Sequence, residues 1–386
     1  MKVLIIYPKF YVYGGGEVLL VRLCNYLTRN GIKNSILTTH MIPEIESDLT
    51  ETEVIIEKHK LRNETKVIQN EIKALKKGLR KHEGKYDIIN PHNFPTEVAA
   101  MKSSKPVVWM CNEPELYLTI SHDDFKKYSL KIKYYYNKLF LYEKVFLKKN
   151  IKHAVVSDEY NAQRFMNIYR FLPCVIHYGI DYDYFSKGED VNWDKDFLNK
   201  FVVLHVGMFT PFKNQLESLR AIAQLKDTIP NILLILAGGG FDQKYKEQCE
   251  DYVKANKLDS HVLFKGHINR EELRELYYHS DLMIHPIKSQ GGWLSPFEML
   301  SAGKPIIVST EMTSSYIIER ENIGIVTEDY IEAILKIYKD KKRYNLMAEQ
   351  GKRFVRENLT WDNFCSKMVE IYSKSINEAK TSSKIF

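Results

Sequence analysis

The chain has 386 residues, of which 44% are hydrophobic and 27% charged, and 56 Lys+Arg against 49 Asp+Glu leave a net charge of +7. Such a length favours two domains with a core each, while a surplus this small for the length does not by itself indicate nucleic acid. Five cysteines (Cys24, Cys111, Cys174, Cys249 and Cys365) lie scattered without C-x-x-C spacing, which argues against a disulfide framework or a zinc site and fits a reducing cytosol. No apolar stretch reaches the length of a bilayer span, and Met1-Lys2-Val3-Leu4-Ile5-Ile6-Tyr7 reads as a first strand, not as a signal peptide.

Residues 2–7, the loop Gly14-Gly15-Gly16-Glu17 and a helical pattern from Val18 to Arg29 form a strand, a glycine turn and a helix. That is how a doubly wound α/β domain opens, although no G-x-x-G continuation completes a dinucleotide fingerprint. Residues 36–39 read as the second strand. Residues 61–83 read as a lysine-rich helix with Val67, Ile68, Ile72, Leu75 and Leu79 on its apolar side. Tyr86 to Pro95 reads as a strand ending in a loop that carries His92 and Asn93, and residues 106–111 form a strand leading into Asn112.

From Phe125 to His153, lysines alternate with aromatic and aliphatic residues at helical spacing. Two readings stand together here: a helix lying on an anionic membrane surface, and a helix packed on its own domain with lysines on the wet face. Nucleic acid is the poorer partner, since no fold motif accompanies the charge. Residues 154–157 form a further strand, and the polar stretch 186–195 reads as an interdomain linker.

A second α/β set follows, with strands at 201–207, 232–240 and 262–268 and helices at 215–225 and 271–279. Alternation of this kind implies a parallel sheet covered on both faces. Leu282-Met283-Ile284-His285-Pro286 then reads as a buried strand, followed by Gly291-Gly292 and the marks of a helix start: Ser295 as N-cap, Pro296 at the first position, Glu298 three residues on. A strand, a glycine turn and a helix N-terminus make an anion site, where a phosphate is the natural ligand and Glu298 can hold a neighbouring sugar hydroxyl. Residues 330–380 are largely helical, with Trp361 heading the last helix.

The run from Gln290 to Ser309, with its Ala302-Gly303-Lys304-Pro305 segment, resembles the signature of the retaining glycosyltransferases of family 4. The resemblance extends in order through Gly14–Glu17, Asp87–Asn93, Ile176–Asp181 with Phe185, and Gly207–Asn214. It implies the GT-B architecture, two Rossmann-like doubly wound domains facing a cleft. Residues 1–187 form the acceptor-side domain, residues 196–360 bind the nucleotide-sugar, and a helix over about 361–380 packs back on the first domain.

By that resemblance the activity is transfer of a sugar from a UDP- or GDP-sugar to a hydroxyl of a glycan or lipid-linked acceptor, with retention and without cofactor or metal. Lys213 and the amides near Gly291, Gly292, Trp293 and Leu294 serve the diphosphate and donor sugar, Glu298 the ribose, and Gly207, Gly266, His267 and Ile268 belong to the same nucleotide site. Gln290 and Asn112 orient sugar hydroxyls, Gly15 and Gly16 approach the donor phosphate or the acceptor, and His92 and Asn93 line the acceptor side. The protein is placed in the cytoplasm, peripheral at the membrane face.

The sequence departs from the family pattern where Met208 replaces an arginine, Asn112 a histidine, Gln290 the first glutamate, and His177-Tyr178 a Pro-Asn pair. Two alternatives stay open: a catalytically lapsed subunit that binds nucleotide-sugar or a partner, and a nucleotide-sugar epimerase of the same fold.

Overall fold

In the first strand, β1 (Lys2–Ile6), Val3 and Ile5 belong to one apolar cluster and Leu4 and Ile6 to another, and all four are fully buried. A strand buried on both faces belongs inside a helix-covered parallel sheet. The computed structural model describes residues 1–11, 14–58, 67–112, 114, 151–188, 197, 199–240, 242–288 and 293–382, with scattered positions between 129 and 147. The chain divides into two α/β units, Met1–Gly179 with Trp361–Phe386, and Ile180–Thr360.

In the first unit β2 (Lys33–Thr38), β3 (Glu53–Ile56) and β4 (Ile88–Pro91) join β1 in the order β3-β2-β1-β4, all parallel. Bridges at Ile89–Val107 and His92–Met110 carry the sheet on to β5 (Val108–Met110), β6 (His153–Val156) and β7 (Cys174–Val175). The helix Gly15–Arg29 covers one face together with Phe364, Met368 and Tyr372 of the last helix, Trp361–Ser382. Each of those large side chains contributes about 2 kcal/mol by leaving water. The helices Val67–His82 and Glu159–Tyr169 cover the other face, with Leu75, Leu79 and Phe165 in its core.

The second unit has one parallel sheet, β8 (Phe201–Val206), β9 (Ile232–Ala237), β10 (Val262–Gly266), β11 (Leu282–His285), β12 (Ile306–Val308) and β13 (Ile325–Val326), in the order β10-β9-β8-β11-β12-β13. In both units the order reverses beside the first strand, between β1 and β4 and between β8 and β11. Ligands of doubly wound sheets bind outside the strands' carboxyl ends at that reversal.

The division between units falls at Gly179, not after residue 187. Residues beyond Gly179 pack on the second unit: the Phe185 ring meets Tyr277 at 5.4 Å, and the Tyr278 hydroxyl donates to the Phe185 carbonyl at 3.1 Å. The linker reading lies largely outside the described residues, and so does most of the 125–153 segment. The crossing points are close together. Ile180 pairs with Thr360 and donates its N–H to the Leu359 carbonyl at 2.8 Å, while a Cβ on Gly179 would lie 2.5 Å from the Trp361 Cα. Only glycine allows that approach.

Candidate functional site

At the second unit's reversal the loop after β8 is tied to the loop after β11. The Asn214 amide donates to the Pro286 carbonyl at 2.9 Å, and the Lys288 N–H to the Phe212 carbonyl at 2.8 Å. Gln215 clamps the turn from below, its amide donating to the carbonyls of Gly207 at 3.1 Å and Met208 at 3.0 Å. The Lys213 stem lies against Gly207, where a Cβ would come within 3.1 Å of its Cδ. Gly207 thus makes room for the lysine. A Cβ on Gly238, which has φ +156°, would strike the Gly207 carbonyl at 2.0 Å, and the Gly238 N–H donates to the Gly266 carbonyl at 2.8 Å. The turns after β8, β9 and β10 therefore meet through backbone, with exposed His267 and half-buried Ile268 just beyond.

The helix after β11 spans Leu294–Ser301 and begins differently from the expected cap. Trp293, already in helical conformation, holds the N-cap position without a side-chain cap bond, so Ser295 lies inside the first turn and forms no capping box with Glu298. Pro296 is tolerated there because first-turn N–H groups have no intrahelical acceptor. Ser295 instead pairs with the Tyr277 hydroxyl. The Trp293 ring is buried against Phe297, centroids 5.1 Å apart, so this residue turns its side chain to the core and Leu294 is half-buried beside it. Gln290, Gly291 and Gly292 lie outside the described residues.

Glu298 is an enclosed acid of this unit. Its Oε2 accepts from the Tyr277 hydroxyl at 2.7 Å, and although the residue keeps some surface, its carboxyl is enclosed by protein. Desolvation pushes its pKa up to about 7, against the Tyr277 hydrogen bond and the Arg270 charge, which lower it. Arg270 pairs with Asp181 and stacks over the Tyr184 ring at 4.1 Å.

Beneath Lys213 lies a feature that the motifs did not signal. His205 and His285 are both buried, ring centroids 6.3 Å apart, with His205 Nδ1 at 2.8 Å from the Ser218 hydroxyl. Burial first, and then the Lys213 charge, lowers His205 to about 3 and His285 well below its ordinary value. Both rings are neutral at neutral pH, which leaves the positive charge of this corner to Lys213. Alternation along β8 and β11 makes such residues read as apolar strand positions, and only the pairing of the two strands brings them together.

The first unit assembles a second polar group at its own reversal. Glu17 caps the Gly15–Arg29 helix by accepting the Gly14 N–H at 3.1 Å, so the helix starts three residues before Val18. The other oxygen of Glu17 accepts from the Tyr7 hydroxyl at 2.8 Å, and a Cβ on Gly16 would lie 3.3 Å from that hydroxyl. Tyr7 also contacts the Asn93 side chain. Asn112 donates to Asn93 Oδ1 at 2.7 Å and accepts from the Tyr178 hydroxyl at 2.9 Å. Asn93, held at φ +59°, and Asn112 thus stand in one chain of contacts with Tyr7, Glu17 and Tyr178; exposed Gly15 lies in the same loop.

His92 is a correction. Expected on the acceptor side, it is fully buried, with Nε2 at 2.7 Å from Asn90 Oδ1, which also accepts from the Tyr372 hydroxyl at 2.6 Å. Burial lowers its pKa to about 3, so the neutral ring donates from Nε2 to Asn90, the residue through which Tyr372 ties β4 to the last helix. The alternation of β4 continues through Pro91 and turns residue 92 inward while Asn93 faces out.

Two family models match the chain, "Glycosyltransferase Family 4" over residues 13–184 and "Glycosyl transferases group 1" over residues 190–354. The chain belongs to the family 4 glycosyltransferases. This glycosyltransferase is 25% identical over 264 residues to an uncharacterised glycosyltransferase of Methanocaldococcus jannaschii, the match covering 64% of each chain. It is 24% identical over 207 residues to the GDP-Man:Man(3)GlcNAc(2)-PP-Dol alpha-1,2-mannosyltransferase of Dictyostelium discoideum, covering 49% of this chain and 41% of that one. The chain thus spans less than two thirds of either relative. Among solved structures it superposes on HepE of Anabaena in complex with UDP with a TM-score of 0.76 at 15% identity, covering 97% of this chain and 100% of that one. With the sucrose-phosphate synthase of Thermosynechococcus elongatus the TM-score is 0.79 at 16% identity, over 97% and 98% of the two chains. The fold is GT-B.

Proposed function

We propose that this glycosyltransferase moves a sugar from a nucleoside-diphosphate sugar to a hydroxyl of a glycan or lipid-linked acceptor, with retention of configuration. The observation that carries the reading is the enclosed Glu298 carboxylate, held by Tyr277 on the helix that follows β11, at the same reversal as Lys213. A carboxylate there accepts the ribose hydroxyls, and Lys213 with the first-turn amides of the Leu294–Ser301 helix neutralises the diphosphate. Structures of HepE with UDP and with UDP-glucose, and the GDP-mannose named for a curated relative, support UDP- and GDP-sugars as the donor class.

The C1–O bond to the diphosphate breaks, the acceptor oxygen bonds C1 on the same face, and its proton passes to the departing phosphate oxygen. That route asks for charge stabilisation more than for a protein base. Asn112 and Gln290 then orient sugar hydroxyls, and His267 and Ile268 flank the base.

An anionic membrane face is the proposed site of work. Leu130, Tyr134, Leu141 and Val145 are exposed at spacings that put them on one helical side of a lysine-rich segment, whereas Leu139 and Leu147 are buried.

A second reading, a lapsed subunit that binds donor without transfer, is favoured by one observation: Met208, exposed after Gly207, stands where the family carries a cation. Thermal shift with a panel of UDP-, GDP- and ADP-sugars, with and without chelator, tests both. A shift lost in Glu298→Ala together with sugar transfer supports the enzyme; the same shift without transfer or hydrolysis supports the lapsed subunit, and no shift with any donor refutes the site.

A further inference from the structure

A concentration of positive charge lies away from the site, at the N-terminal edge of the first unit's sheet. The helix Val67–His82 buries Ile72, Leu75 and Leu79 and presents Lys73, Lys76, Lys77, Arg80 and Lys81 around a concavity of about 520 Å³. Beside it, Lys76, Leu79, Arg80, Glu83, Ala99 and Lys102 line a narrower cleft of about 110 Å³, large enough for several water molecules. The helix leads through Glu83–Lys85 into the start of β4, and Lys102 precedes the start of β5. The cleft therefore sits at the opposite end of the strands from Gly14–Gly16 and Asn112.

Three cations share this cleft with a single carboxylate, Glu83. Among the described residues Lys77 pairs with Glu57 at 3.2 Å, but Lys76, Arg80 and Lys102 make no ion pair. The one acid in the lining, Glu83, turns its Oε2 to the Ser103 hydroxyl at 2.7 Å and the Ser104 N–H at 3.2 Å. Lys76 is half-buried, and desolvation followed by the charges of Lys102 and Arg80 holds its ammonium below its ordinary pKa. Like charges gathered this way repel, and an anion between them removes the repulsion. A phosphate suits the geometry, because guanidinium and ammonium groups give its oxygens charge-assisted hydrogen bonds.

We propose that Lys76, Arg80 and Lys102 form a phosphate-binding cleft, the phosphate belonging either to the head group of an anionic lipid or to a soluble phosphorylated molecule. The test compares the full chain, the variant Lys76→Gln/Arg80→Gln/Lys102→Gln, and a control with equal charge loss at exposed positions of the second unit, Lys244→Gln/Lys254→Gln/Lys339→Gln. Two probes are used: sedimentation with phosphatidylcholine vesicles with and without phosphatidylglycerol, and titration with inorganic phosphate. Circular dichroism checks folding, and Arg80→Gln alone, altering one exposed side chain, replaces the triple variant if that does not fold.

A loss on the order of tenfold or more confined to the cleft variant is expected, weakening further with salt. Loss of vesicle binding assigns a lipid head group, and loss of phosphate binding alone assigns a soluble ligand. Equal behaviour of cleft and control variants on both probes, or no binding of either probe, overturns the cleft.

Discussion

In the second unit the ionisable groups of the site are sunk into protein: Glu298 under the Tyr277 hydroxyl, His205 and His285 below Lys213, each with its pKa moved chiefly by desolvation. The matching edge of the first unit holds neutral groups in series, Tyr178 to Asn112 to Asn93, with Tyr7 and Glu17 beyond. The strand order around the two reversals is the same, so the contrast arises from side chains and not from topology. A buried acid and a half-buried lysine suit a charged ligand, whereas amides and phenols in a fixed chain suit the orientation of hydroxyls. Under the proposed function, charge is handled in one unit and direction in the other.

The sharpest way to break that contrast is Glu298→Ala. It should abolish the donor-induced melting shift and lower kcat/KM by about 100-fold or more, since it removes a charge-assisted contact and leaves the buried Tyr277 hydroxyl with Ser295 alone. Calorimetry with the donor checks binding, and unchanged affinity would remove Glu298 from the donor site. Next is Lys213→Ala, for which a fall of about 10- to 100-fold in transfer is expected, and Met208→Arg should raise donor affinity several-fold by adding a second cation at the same loop. Equal transfer by Lys213→Ala and the parent chain would show that charge is handled elsewhere.

The pH dependence sharpens the same point. The Glu298 carboxyl titrates at about 7 in the folded chain against 4.5 for the free side chain. The folded state therefore keeps its proton longer than the unfolded one, and stability declines as pH rises from about 4.5 through about 7, then levels. The drop is on the order of 3 kcal/mol at most. Urea titrations at several pH values should find that decline in the parent and a flatter profile in Glu298→Gln.

The smallest effect is predicted for the first unit. Tyr178→Phe deletes one hydrogen bond and should lower transfer about fivefold, close to 1 kcal/mol, with donor affinity unchanged. Steady-state kinetics beside donor calorimetry separates the two quantities. A donor-binding loss as large as that of Glu298→Ala would collapse the division of labour.

Much of this was legible in the chain because its punctuation is local. Glycine turns at Gly14–Gly16, Gly207 and Gly238–Gly240 follow continuous apolar runs, and the helix Gln215–Leu225 has the boundaries its pattern predicts. Glu298 was legible from its motif, but its partner Tyr277 was not, because the two meet from different helices 21 positions apart. The same holds for Tyr178 with Asn112, 66 positions apart, and for His205 with His285. Short β3 (Glu53–Ile56) lacked a long apolar run, since its position at the sheet edge leaves Val54 and Ile55 only half-buried. The misplaced helix start at Ser295 shows the limit of cap rules where proline already favours helical backbone at several first-turn positions.

The close crossing at Gly179 and Trp361 has a practical meaning. The second unit leaves and re-enters the first through two adjacent peptide segments, with Ile180 paired to Thr360. It is a single uninterrupted stretch whose ends touch, the arrangement that tolerates excision and grafting. The corresponding unit from a relative can therefore be spliced in through two cuts, at 179/180 and 360/361, leaving the first unit intact. Under the proposed function, exchange of cassettes at these two points is a route by which one first unit acquires a new donor.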